Sequence, residues 1–85
     1  MKVRVLFFAS LREQLGGAGD DLELPEGVNT VGALRAHLRL RGPAWQAALA
    51  EGKLVRTAVN QEMAGPAANI AAGDEIAFFP PVTGG

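Results

Sequence analysis

One stretch with the 3.6-residue period of a helix lies between two zones of period-two alternation, and that order restricts the chain to a sheet crossed by one principal helix. The helical stretch takes Asn29 or Thr30 as N-cap, repeats Val31, Leu34 and Leu38 along one side with Arg35 and Arg39 offset, and stops at Gly42 and Pro43. Before it, residues 2–9 alternate Val3, Val5, Phe7 and Ala9 against Lys2, Arg4, Leu6 and Phe8, and the first set is expected to face the core. Ser10 and Glu13 have capping-box spacing, so Leu11 to Leu15 is expected as a short helical piece ended by Gly16 and Gly17. Asp21 to Leu24 reads as a second strand, closed by Pro25 and the turn pair Glu26 and Gly27, and forms a hairpin with the first around the helical detour.

Beyond the principal helix, Pro43 suits the first position of a shorter one that carries Trp45, Ala48 and Leu49 and closes at Gly52. Val55 to Asn60 reads as a third strand. A polar turn at Gln61 and Glu62 leads to Met63 and an irregular stretch through Asn69, with Ile70 to Gly73 leading into the last strand. That strand, Asp74 to Phe79, sets Ile76 and Phe78 against Glu75, Ala77 and Phe79, and ends at Pro80 and Pro81, which have no N–H for a ladder. Strand, strand, helix, strand, strand describes an α+β domain with a mixed sheet packed on one main helix, and a ubiquitin-like β-grasp is the simplest such arrangement. The 85 residues allow a single domain, 1–85, with 80–85 as an extended C-terminal tail.

Composition removes several classes of function. With 8 basic and 9 acidic side chains there is no field to hold a phosphate backbone or an anionic membrane, so neither nucleic acid nor membrane is an expected partner. The chain has no cysteine, which excludes disulfides, a thiolate nucleophile and the sulfur ligands of most structural zinc or iron–sulfur sites. His37 has no companion at metal or catalytic spacing, the pairs Asp20–Asp21 and Asp74–Glu75 point apart along the backbone, and Gly16, Gly17 and Gly19 complete no phosphate-loop pattern. No metal site and no stably bound cofactor are expected. The opening MKVRVLFFASL is interrupted by Arg4 and followed by Arg12 and Glu13, unlike a secretory signal, so a cytoplasmic location is expected.

Two features stand apart from a plain structural role. Alternation puts Phe8 and Phe79 on the faces of Lys2, Arg4 and Glu75, where a lone domain exposes them to water, and Met63 extends the same apolar patch. The second feature is the end. Pro80 and Pro81 stiffen the exit from the sheet, so that Val82, Thr83, Gly84 and Gly85 are expected to project as a slender arm. Without Cβ atoms, the two glycines can thread a channel closed to other residues and deliver a terminal carboxylate into a partner's active site.

The segments VLFFASLRE, AVNQE and GDEIAFFPPVTGG resemble the small-subunit family of molybdopterin synthase, among the ubiquitin-like sulfur carriers, and the resemblance spans the chain. It implies a β-grasp fold and a cycle in which an ATP-dependent, E1-like activating enzyme adenylates the carboxyl of Gly85. A sulfur donor protein then replaces AMP to give a thiocarboxylate. The resemblance further implies that the tail enters the large subunit, where two carriers are consumed to build one dithiolene on a cyclic pyranopterin precursor, in an assembly of two small and two large subunits. Phe8, Met63 and Phe79 correspond to the family's docking surface, and Pro80, Pro81, Val82, Thr83 and Gly84 to the inserted arm. A thiamine-pathway carrier shares the fold and final glycines but usually lacks FFPP. A ubiquitin-like protein modifier and a plain interaction domain are the remaining alternatives.

Overall fold

The computed structural model describes residues 1–81; the expectations for Val82, Thr83, Gly84 and Gly85 lie outside the described residues. Five strands, β1 (Lys2–Phe7), β2 (Gly19–Glu23), β3 (Arg56–Val59), β4 (Glu62–Ala64) and β5 (Glu75–Phe79), form one mixed sheet in the order β2-β1-β5-β3-β4. Three helices, α1 (Ala9–Leu15), α2 (Val31–Arg39) and α3 (Pro43–Ala48), complete the α+β domain. The first and last strands pair in parallel at the centre, Val5 opposite Ile76 and Phe7 opposite Phe78, and every other pairing is antiparallel.

Alternation in β1 and β5 decides which face is filled. Val3, Val5 and Phe7 join Ile76 and Phe78 under Val31, Leu34 and Leu38 of α2 and Leu49 beyond α3, all buried. Phe7 stacks on Phe78 with centroids 6.0 Å apart and meets Trp45 edge-on at 5.3 Å, so the short helix is fastened to the central seam by aromatic contact. Thr30 caps α2 by accepting from the Ala33 amide at 3.1 Å, and Pro43 opens α3 as expected. Arg35 ties the two helices together. Its guanidinium donates to Leu49 O at 2.8 Å, to Lys53 O at 2.9 Å and to Ala50 O, and so holds the segment that follows α3 against α2.

Several boundaries differ from the sequence reading, each for a local reason. β1 stops at Phe7, and Ala9, expected in the core face, is exposed at the start of α1 with φ 53°. That left-handed residue begins the helix early, so Ser10 falls inside it. Phe8 becomes the N-cap without a side-chain bond, and the Ser10–Glu13 capping box does not form. Gly16, at φ 77°, ends α1 as expected by donating to Arg12 O at 3.1 Å. β2 starts two residues early, at Gly19, where a Cβ would collide with the Val5 carbonyl. Asn60 and Gln61 have φ 50° and 70°, the left-handed pair of a two-residue hairpin turn, so the stretch read as irregular after Met63 begins with a fifth strand, β4. α2 ends at Arg39, before Gly42.

Phe78→Ala is expected to cost about 3–5 kcal/mol of folding free energy, since it opens a cavity at the centre of the seam. Thr30→Ala should cost about 1 kcal/mol. Chemical denaturation of both variants beside the parent chain checks the ranking.

Candidate functional site

The helices cover one face of the sheet, and the other is built from side chains that alternation turns away from the core. Register sets Leu6, Ala77, Ala58 and Met63 in one row across β1, β5, β3 and β4. One pair further along β5, Phe79 lies opposite Arg56. The Phe8 amide donates to Phe78 O at 3.1 Å, which carries the parallel seam one step past β1 and makes Phe8 the neighbour of Phe79. Phe8 is 45% exposed and Met63 60%, Phe79 is half-buried, and Ala58 and Ala77 are buried.

The three residues read from sequence as one patch therefore share a face without forming a single cluster. At about 4.8 Å per strand and 3.3 Å per residue, Met63 sits roughly 12 Å from Phe79. Between them lies a floor of alanines. Small residues in the middle with large apolar ones to either side form a shallow apolar saddle on the open face. Leu6, Ala58 and Ala77 were not singled out as site residues from sequence. The signal was present in the alternation of β1 and β5, but the contribution of β3 needed the register. Pro80 and Pro81, both half-buried, follow directly from this face.

A hydrogen-bonded clamp fixes one end of the saddle. The Asn60 side chain donates to Asp74 Oδ1 at 3.0 Å and accepts from the Glu75 amide at 3.0 Å, and its own amide donates to Glu75 O at 2.8 Å. Asp74 Oδ2 accepts from the Ala71 amide at 2.8 Å. The turn that presents Met63 is thereby tied to the entry of the strand that presents Phe79. Asn60 and Asp74 lie in the AVNQE and GDE segments, whose role was not readable because the bonds join positions 14 residues apart. The Asn60 donor, and after it the Ala71 amide, hold the Asp74 carboxyl below the usual carboxylate range, against a small opposing effect of burial.

His37 lies in the last turn of α2, on the opposite side of the molecule from the saddle. It lines an open depression of about 510 Å³ with Val28, Ala33, Leu40 and Gln46, a set with no nucleophile or second base. Among the described residues, no group of three or more His, Asp or Glu side chains is placed to hold a metal ion. No helix among them is long and apolar enough to cross a membrane.

Comparison with known proteins agrees with this architecture. The model of the ThiS family matches residues 5–85, and the chain belongs to that family. It is 46% identical over 83 residues to the molybdopterin synthase sulfur carrier subunits of Haemophilus influenzae and of Escherichia coli, covering 98% of this chain and 99% of each relative. Among solved structures, the small archaeal modifier protein 1 of Haloferax volcanii superposes with a TM-score of 0.79 at 31% identity, covering 95% of this chain and 98% of that one. The ubiquitin-like β-grasp expected from the order of elements is the fold of the chain.

Because the folded Asp74 carboxyl titrates below its unfolded counterpart, its stabilisation is complete above the ordinary carboxylate range and fades as pH falls through the folded value. Asp74→Ala is therefore expected to unfold at lower temperature than the parent at pH 7, with the gap narrowing below about pH 4. Thermal melts at pH 7 and pH 3 check this, and an unchanged gap at pH 3 counts against the charged clamp.

Proposed function

We propose that this member of the ThiS family is the sulfur-carrying small subunit of molybdopterin synthase, that it acts in the cytoplasm, and that its reacting group is the carboxyl of Gly85. The observation that carries the reading is the continuity between the apolar saddle and the segment leading to the terminal glycines: Phe79 belongs to the saddle, and Pro80 and Pro81 follow it immediately. The family match running through to Gly85, and the full-length similarity to two relatives named as sulfur carrier subunits, support it.

A carboxylate resists nucleophiles, so the cycle begins in an activating enzyme, where a Gly85 oxygen attacks the α-phosphate of ATP and pyrophosphate leaves. The mixed anhydride is then open to a sulfur donor at the oxidation level of hydrosulfide. A C–S bond replaces the anhydride C–O bond, AMP departs, and the thiocarboxylate is a sulfur nucleophile made without cysteine. The saddle docks on the large subunit, Val82, Thr83 and Gly84 supply reach, and the large subunit supplies the groups that move sulfur to the pyranopterin. After transfer, hydrolysis of the acyl product returns the carboxylate.

The likeness to a protein named as a modifier favours one second reading, conjugation to lysines through Gly85. Intact-mass measurement on protein from cells separates the two, since a carrier shows an oxygen-to-sulfur exchange and a modifier gives ladders of larger adducts. A knockout that abolishes molybdoenzyme activity, with thiamine synthesis intact, assigns the pathway.

Deletion of Gly85 is expected to leave the melting temperature unchanged and to abolish sulfur transfer in a reconstituted synthase assay; retained activity refutes the assignment. Phe79→Asp should fold yet lose association with the large subunit, because an unpaired charge buried at the interface costs several kcal/mol. A pull-down with the purified large subunit reads it directly.

A further inference from the structure

The open face extends past Phe79 toward the root of the tail. Val55 packs against the core, so alternation turns Leu54 and Arg56 to the opposite side, the side that carries Phe79. Arg56 is the register partner of Phe79 in the last pair of the ladder, and Leu54, two residues before it, and Pro81, two residues after Phe79, lie beyond that same end of the sheet. Leu54 is 80% exposed, and Arg56 is exposed without an ion pair among the described residues. An exposed leucine beside an unpaired arginine does little for an isolated domain. Here both border a larger apolar surface at the point where the chain leaves the sheet.

We propose that Leu54 and Arg56 form a second docking point for the large subunit, in which Leu54 enters an apolar pocket and Arg56 faces a carboxylate on that pocket's rim. This rests on the reading of the chain as the sulfur-donating subunit and adds a site that the saddle residues do not supply. Its physical use follows from position. Contacts at Phe8, Phe79 and Met63 hold the body of the carrier, whereas contacts beside Pro81 hold the root of the arm. Fixing the root narrows the volume that Gly85 can sample and raises its effective concentration at the partner's reacting atoms.

Leu40 provides an internal control. It is 82% exposed but lies just past α2, beside His37 and Gln46 on the helical side. The experiment measures affinity for the purified large subunit by calorimetry at low and high salt, with melting temperatures recorded for each variant. Leu54→Ala is expected to bind about 10-fold more weakly with an unchanged melting temperature, and Leu40→Ala to bind as the parent does. Arg56→Ala is expected to weaken binding and to flatten its salt dependence. If Phe79→Asp abolishes binding while Leu54→Ala and Arg56→Ala stay within twofold of the parent, the second docking point is overturned and the saddle stands. If Phe79→Asp also binds normally, the docking reading itself falls. Equal losses for Leu40→Ala and Leu54→Ala overturn the proposal as well.

Discussion

The parallel pairing of β1 with β5 is the constraint on which the rest of the structure depends. Two adjacent parallel strands need a crossover, and here nearly the whole chain is that crossover. The intervening helices must then lie against one face, and Val5, Ile76, Phe7 and Phe78 are buried because α2 and α3 close over them. The same pairing brings β5 to the middle of the sheet rather than an edge. The residues after it therefore depart from the centre of the sheet.

One-sided coverage explains why the open face is apolar without being hazardous. Its floor consists of Ala58 and Ala77, which bury themselves between longer neighbours and present little area to water. The sheet edges are short or charged. β4 has three residues, and β2 carries Asp20, Asp21 and Glu23. Arg4 on the open face is held by Asp21 at 3.2 Å, an exposed pair worth little energy but sufficient to keep that corner polar. The apolar area is thus confined to the end of the sheet from which β5 exits.

What could be read in the sequence was whatever a single period expresses. The alternation of β1 through Phe7 and of β5, the Val31, Leu34 and Leu38 stripe and the Pro43 start all follow from local chemistry and are present, and of the two caps that the sequence offers, Asn29 and Thr30, the structure uses Thr30. β4 was missed because its turn uses Asn60 and Gln61. Gln61 adopts positive φ without the glycine that usually announces such a turn, and the strand it feeds is only three residues long. The early start of α1 rests on left-handed Ala9, for which no sequence pattern exists. Arg35 read as the polar flank of a helix; its bonds to Leu49 and Lys53 require knowing that α3 folds back against α2. For the candidate site, Phe8, Met63 and Phe79 were legible as out-facing apolar residues, whereas the alanine floor, Leu54 and the Asn60–Asp74 clamp depend on the register of three separate strands.

The proposed chemistry asks two opposed things of one short chain. A carrier must present the same carboxyl to an activating enzyme and then to a synthase, so its reacting end needs freedom; productive transfer needs that end confined. The order of residues from Phe78 onward separates the demands by position. Phe78 is locked in the core, Phe79 lies on the open face, Pro80 and Pro81 restrict the backbone, and Gly84 and Gly85 have no Cβ to widen the chain. The clamp at Asn60 and Asp74 acts at the other end of β5, tying the start of that strand to the turn between β3 and β4. On this reading, confinement comes from the partner's grip on the saddle and on the root of the arm, and it is relinquished whenever the two subunits part.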